Sequence, residues 1–348
     1  MVHQCLQEVN FSIFLKTGIK GRKKMTLLDH IKAPIKEELA GFEPYFRKTL
    51  QSDVPLLGTI LDYIYRSKGK QIRPMFVFLS AAMLGKSQEL TQVAACSVEL
   101  LHTATLVHDD VVDESYERRG FFSVNALWRN KLAVLVGDFI LAQGLLLQLK
   151  HEQYGFLHLI SRAVQDMSEG EILQIKKSRK LDIDTDTYYA IIRKKTASLI
   201  ATSLAIGAAS VAAPPETVEK MYSIGQDAGI AFQIKDDIFD YQEKGLIGKP
   251  TGNDIKEKKI TLPLLYLLNH SAPGERMRIL RLIKKKNKNT EAVRELVDLV
   301  REKGGIAYAT EQMNLFREKA IAGIREFPEN EARNALMDLM NYITERKN

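Results

Sequence analysis

Cysteine is scarce in this chain: two residues, Cys5 and Cys96, among 348. With no metal-ligand spacing between them, they exclude a disulfide framework and a cysteine-based zinc site. They fit a reducing, cytoplasmic compartment. Tryptophan occurs once, as Trp128, and reads as core packing. There is no GxxxxGK[ST] loop, and no strand-turn-helix context for a dinucleotide-binding glycine fingerprint. HExxH, paired CxxC and GxSxG are missing too, which removes the zinc peptidases and serine hydrolases that depend on them. No sustained apolar/polar alternation of the kind a half-buried strand needs is found. The longest charge-free run, 196–215, has the length of a membrane span, but it is rich in Ala, Ser, Thr and Gly and closes on Pro214 and Pro215. A helix buried among close neighbours is the better reading. Residues 1–24 lack the apolar stretch of a signal peptide and are expected to be an N-terminal extension. No Gly/Ser linker and no fixed-period repeat divides the remainder, so residues 25–348 are expected to form one domain.

What is present is helical periodicity from Met25 onward. Amphipathic helices are expected over 28–51 and 55–66, then an apolar segment over 75–84. A long helix, opened by Ser87 and Glu89, runs to about residue 112. Further helices are expected over 124–150 and 154–179. The stretch DIDTDT at 182–187 breaks the pattern and caps the next helix. Pro214, Pro215 and Glu216 mark another helix start, because proline fits the first turn. Residues 242–259, with three glycines and a proline, read as a loop; helices follow over 260–269, 274–285, 290–303, 306–326 and 329–345. The run at 284–289 reads as a solvated connector. The fold class is all-α. The net charge of +7 raises nucleic acid as a partner, but the aromatic–basic interleaving of an RNA platform is missing. A basic excess equally suits diphosphate substrates or peripheral contact with an anionic membrane.

Two stretches stand out. LLHTATLVHDDVVDESYERRG, 100–120, ends an apolar helix in Asp109, Asp110 and Asp113, with Arg118 and Arg119 close behind. Positions i and i+4 share a helix face, so Asp109 and Asp113 align, and His102 lies two turns back on that stripe. GIAFQIKDDIFDY, 229–241, repeats the spacing with Asp236, Asp237 and Asp240. Carboxylates among apolar residues are costly to bury unpaired, and two such clusters in one chain are expected to face each other. Without histidine or cysteine clusters they select hard cations, above all Mg²⁺, which takes one or two carboxylates and fills its shell with water and substrate phosphate. Cations recur beside them: Lys70 and Arg73 in GKQIRP, Lys195 with Thr196, then Lys249 and Lys259. Taken singly, each would more often be a surface charge. A paired-carboxylate glycosidase needs one acid per role rather than two triplets. The residues alone therefore point to a helical, Mg²⁺-dependent enzyme acting on an organic diphosphate, and leave open whether the C–O or the P–O bond breaks.

These motifs resemble the trans-prenyltransferases, the head-to-tail polyprenyl diphosphate synthases. GKQIRP looks like that family's GKxxRP, DDVVDESYERRG like its first aspartate-rich motif with the trailing RRG, and DDIFD like its second. KKTASL, GIAFQIKDD and GKPTGNDIKEKKITLP match in order and spacing, so the likeness spans residues 68–263. It implies a bundle of long helices around a central cavity, usually a homodimer, and condensation of isopentenyl diphosphate with an allylic prenyl diphosphate through a Mg-stabilised allylic carbocation. Carried over, Asp109, Asp110, Asp113, Asp236 and Asp237 hold Mg²⁺, with Asp240 a weaker ligand. Arg118, Lys195, Thr196, Gln233, Lys249 and Lys259 contact the allylic diphosphate, and Lys70, Arg73, His102 and Arg119 bind isopentenyl diphosphate. Lys258 departs from the pattern, standing where the family usually has glycine. In this family bulky aromatics one turn before the first motif go with short products. Here Ala104 and Thr105 are small, which implies a long-chain product of hexaprenyl to octaprenyl class. The rivals are a class I terpene cyclase, which has no use for Lys70, Arg73 and His102, and a non-catalytic subunit of a heteromeric synthase, which would be expected to lose aspartates. A helical metal-binding scaffold explains neither the arginines nor the lysines.

Overall fold

Proline and short polar side chains set many of the helix boundaries. The structure is a computed structural model and describes residues 26–67, 69–118, 120–241, 253–256, 259–284 and 290–345. Thr26 caps α1 (Leu27–Lys32) by accepting from the Asp29 amide at 3.2 Å. Pro34 then lies in a 3₁₀ turn, Ala33–Ile35, so the first expected helix divides and α2 runs Lys36–Thr49. Pro55 opens α3 (Pro55–Arg66), which leads through GKQIRP into α4 (Ile72–Leu84). The long α5 (Glu89–Val112) is capped by Gln88 with Thr91, not by Ser87. After α5 comes a hairpin that the sequence did not announce: β1 (Glu117–Arg118) pairs antiparallel with β2 (Phe121–Phe122). Two-residue strands are too short to leave an alternation.

Next come α6 (Val124–Lys150) and α7 (Tyr154–Lys180). Asp184 caps α8 (Thr185–Ile192) by accepting from the Thr187 amide at 2.7 Å, as expected of DIDTDT. A π turn over Arg193–Ala197 leads into α9 (Ser198–Ser210), and Pro215 opens α10 (Pro215–Phe239). The region read as a loop contains the single turn α11 (Asn253–Lys256). The remaining helices are α12 (Leu262–His270), α13 (Pro273–Lys284), α14 (Thr290–Glu302), α15 (Gly305–Arg325) and α16 (Glu331–Glu345). The expected extension 1–24, and residues 285–289 of the expected connector, lie outside the described residues.

Two large apolar cores form among the described residues, beside a small cluster of Ala201, Ala205 and Tyr222. The larger gathers α1 to α7 with much of α9 and α16. The smaller gathers α8, α12, α13 and α14 with the first half of α15. α10 threads both: Ile224 and Ala228 belong to the first, Ile230, Ile234 and Ile238 to the second. The charge-free run becomes α9, which is buried almost all round, as a helix with no polar face must be. α5 and α6 are both long and apolar enough to cross a membrane by length and composition. α5 is mostly buried inside the fold, whereas α6 keeps an open side on which Leu127, Leu135, Leu146 and Leu149 are exposed.

Candidate active site

The last turn of α5 divides its carboxylates by burial. Asp110 is 4% exposed, and its Oδ1 accepts from Arg118 Nε at 2.8 Å and pairs with the guanidinium Nη2 at the same distance. Burial still pushes its pKa up, against the pull of Arg118. Asn125 Nδ2 donates to the Asp110 carbonyl at 3.1 Å, which ties the start of α6 to this turn. Asp109 is partly exposed and Asp113, the C-cap, is open. Burial raises the Asp109 pKa from 3.8 to about 6; Lys195 and Arg118 pull it down, and Glu171 and Asp113 push it further up. This carboxylate is short of positive charge.

The end of α10 repeats the division with different partners. Asp237 is 1% exposed and both its oxygens are taken: Tyr188 Oη donates to Oδ2 at 2.7 Å and Gln233 Nε2 to Oδ1 at 2.8 Å. Burial pushes the Asp237 pKa up, with Lys259 opposing. The Tyr188 hydroxyl is pushed well above its ordinary range by burial and by Asp237, so it stays a donor. Asp236 and Asp240, one turn apart, are partly exposed. Asp240 Oδ2 accepts from the Asp254 amide at 3.0 Å, and Lys259 Nζ reaches Asp254 Oδ1 at 3.1 Å. In both motifs the second aspartate is committed to the protein, and the first and last form the accessible i, i+4 pair.

The π turn reaches toward both motifs. A π bulge widens one helical turn and re-aims its side chains. Glycines on both sides permit its close approach: a Cβ on Gly170 of α7 would lie 2.8 Å from the Lys195 amide nitrogen, and one on Gly229 of α10 would lie 2.5 Å from the Ala197 Cα. Lys195 ion-pairs with Glu171 of α7 and pulls on Asp109 electrostatically. Next to it, Thr196 Oγ1 donates to Gln233 Oε1 at 2.6 Å, continuing to Asp237. Lys195, Thr196, Gln233, Asp237 and Lys259 line one pocket of about 420 Å³, open to solvent.

A second open pocket, of about 700 Å³, lies along α5, whereas the first is walled by α7, α8, the π turn and α10. Glu99, His102, Leu106 and Asp110 form one wall; Arg118 and Phe121 face them from the hairpin. Arg73 Nη1 lies 2.9 Å from His102 Nε2. His102 therefore opens onto the Asp110 pocket, not onto the Asp109 stripe expected of it, because its side chain reaches across to α4. Arg118 also stands here, whereas Lys195, with which it was grouped, lines the first pocket; both pull on Asp109 electrostatically. Lys70 Nζ donates to Tyr342 Oη of α16 at 3.2 Å, with the ammonium 5.6 Å from the ring centre. Ala104 is buried, Thr105 donates its hydroxyl to the His102 carbonyl at 2.9 Å, and neither lines these two pockets.

Arg119, Lys249 and Lys258 lie outside the described residues. Glu171, Tyr188, Tyr342 and Asp254 were missed. Asp254 falls within the quoted stretch GKPTGNDIKEKKITLP, so it was available. The other three carry no local signature and reach the site only through tertiary packing. Among the described residues no three acidic, histidine or cysteine side chains converge as a ready-made metal cage. Two separated carboxylate pairs, one with a raised pKa, suit a cation that completes its shell with substrate oxygens and water.

Comparison with known proteins gives one answer. The model of the polyprenyl synthetase family matches residues 54–300. Octaprenyl diphosphate synthase of Escherichia coli is 32% identical over 320 residues, covering 92% of this chain and 99% of that one. Heptaprenyl diphosphate synthase component 2 of Geobacillus stearothermophilus is 32% identical over 313 residues, covering 90% and 97%. The crystal structure of a polyprenyl synthase from Caulobacter crescentus, complexed with calcium and isoprenyl diphosphate, superposes with a TM-score of 0.86 at 32% identity, covering 94% of this chain and 100% of that one.

Proposed function

Since the chain belongs to the polyprenyl synthetase family and is a prenyltransferase joining isopentenyl diphosphate to an allylic diphosphate, we propose that it is a Mg²⁺-dependent, long-chain, all-trans synthase acting as a cytoplasmic homodimer. The observation that carries this reading is the pair of pockets, one walled by α7, α8, the π turn and α10 with Lys195, Lys259 and Asp237, the other along α5 with Arg118, His102 and Asp110. Lys195, Thr196 and Lys259 bind the allylic diphosphate; Arg73, His102 and Lys70 bind that of isopentenyl diphosphate. Asp109 and Asp113, with Asp236 and Asp240, would hold Mg²⁺, which would supply neutralisation of the charge on the departing diphosphate. The lysines add to that stabilisation from fixed positions. Leu106 and Val107 give the second pocket an apolar flank that keeps water from the allylic carbocation. The isopentenyl double bond, oriented beside it, attacks, and a proton leaves to the released diphosphate.

The small residues Ala104 and Thr105, and relatives named for octaprenyl and heptaprenyl products, support the long-chain reading. The open apolar side of α6 supports a homodimer. The relative named component 2 makes a heteromer the alternative assembly, which light scattering of the purified chain distinguishes. The terpene-cyclase and non-catalytic-subunit readings are not favoured: both aspartate motifs and the isopentenyl-binding cations are intact. The test is product analysis after incubation with Mg²⁺, farnesyl diphosphate and labelled isopentenyl diphosphate. Hexaprenyl to octaprenyl products, shortened by Ala104→Phe, are expected; a farnesyl end product made from shorter primers overturns the chain-length reading.

A further inference from the structure

The hairpin that carries Arg118 has few anchors. At its base, Ser123 Oγ donates to the Ser115 carbonyl at 2.6 Å and the Ser123 amide to the Tyr116 carbonyl at 2.9 Å. Those bonds close the loop on itself. Toward its tip, Arg118 reaches back to Asp110, and one contact comes from a distant element. Tyr63 of α3 donates its hydroxyl to the Phe122 carbonyl at 2.6 Å. The Tyr63 ring meets Phe121 edge-on at 6.3 Å and Trp128 edge-on at 5.3 Å between centroids. Phe121 and Phe122 are otherwise exposed, at 44% and 58%, so little burial holds them. The hydrogen bond and the two ring contacts of the clamp all border the second pocket or the start of α6.

α3 also runs directly into the segment that bears Lys70 and Arg73. One helix is therefore tied to both cation-bearing segments around the second pocket, and its tie to the hairpin passes through Tyr63. We propose that Tyr63 is a positioning residue for the condensation: by clamping the hairpin through Phe122 and Trp128 it holds Arg118 and the Phe121 wall over the pocket that receives isopentenyl diphosphate. Tyr63 itself lines this pocket, but its hydroxyl is committed to the Phe122 carbonyl. It acts through the hairpin. The proposal rests on the assignment of that pocket to isopentenyl diphosphate, which goes beyond the family match.

The test uses the full-length enzyme and the variant Tyr63→Phe, which keeps both ring contacts and removes the hydroxyl donor. The KM for isopentenyl diphosphate is expected to rise about five-fold, the effect of losing one hydrogen bond, with the KM for the allylic substrate and kcat changing less than two-fold. Acrylamide quenching of Trp128, the single tryptophan, reads the clamp with no substrate present and is expected to be stronger in the variant. Unchanged quenching overturns the clamp however the pocket is assigned. So does a uniform fall in kcat with both KM values kept, the mark of a merely structural role. Arg73→Ala separates the two ideas: if it raises the isopentenyl KM and Tyr63→Phe does not, the clamp fails and the pocket assignment stands. If neither moves that KM, the assignment fails, and the proposal with it.

Discussion

The two aspartate motifs share a spacing and differ in how they are held. In the first, the middle aspartate leans on a cation: Arg118, whose side chain is 36% exposed, arrives from a hairpin outside the core. In the second it leans on neutral donors, Tyr188 and Gln233, inside an apolar body. Strained backbone is also unevenly divided. Among the described residues six non-glycines take positive φ: Gln71, Glu114 and Arg129 flank the first motif and its pocket, Leu181 packs against the core that holds the second, and Glu152 and Ala212 follow α6 and α9. One acidic pattern can therefore be fixed by an adjustable surface arm or by a rigid buried network. The spacing states which aspartates can act together, and the neighbours decide how firmly they are held.

The largest effect should come from removing an accessible aspartate. Asp109→Ala is expected to lower kcat about a thousandfold, the loss of several kcal/mol of charge stabilisation, with the melting temperature kept. Steady-state kinetics alongside calorimetry checks both halves. If Asp110→Asn were as inactive as Asp109→Ala and just as stable, the division between acting and structural aspartates would break.

Stability should then separate the two middle aspartates. Tyr188→Phe leaves a buried carboxylate oxygen without its donor, at about 1–3 kcal/mol. Arg118→Met exposes Asp110 to a pocket open to water, which offsets part of the loss, so its cost should be smaller. Urea midpoints of the two variants, measured without metal, rank them; the reverse order would refute the contrast.

A pH dependence of similar or smaller size follows from Asp109. Its folded-state pKa of about 6 lies above the ordinary value of 3.8, so the folded chain holds that proton more tightly than the unfolded one. In metal-free protein this group makes folding less stable as pH rises from about 4 to about 6, by roughly 1–3 kcal/mol. Asp109→Asn should remove that slope and leave the protein more stable at neutral pH. Thermal melts of both proteins across this range in EDTA give the difference directly.

The smallest effect concerns the strain itself. Arg129, next to Trp128, sits at φ 68°, ψ 163° inside α6, a region close to glycine-only. Arg129→Gly should raise stability by about 1 kcal/mol, less the entropy glycine adds to the unfolded chain. An equal gain from Leu181→Gly would blur the contrast between the two regions.

Much of this was legible in the sequence because it rests on local rules. Helical periodicity gave most boundaries within a few residues, proline and aspartate marked helix starts, and the i, i+4 spacing identified both acidic pairs. Legibility ended wherever a role depends on a partner distant in sequence. Asp110 and Asp237 read as ligands like their neighbours, since nothing in DDxxD tells which carboxylate turns inward. His102 read as part of the Asp109 stripe, because helical angles place a Cβ but not the reach of a ring toward Arg73.

The sequence by itself determined the helices, the two carboxylate pairs and the cations that accompany them, since each follows from spacing along one chain segment. Only the tertiary structure decided which aspartates are buried, that a π turn between Gly170 and Gly229 carries Lys195 and Thr196 toward both motifs, and that Tyr63 and Tyr342 brace cation-bearing segments. Burial and hydrogen bonding are properties of packed neighbours, and those neighbours lie anywhere from one to 272 residues away.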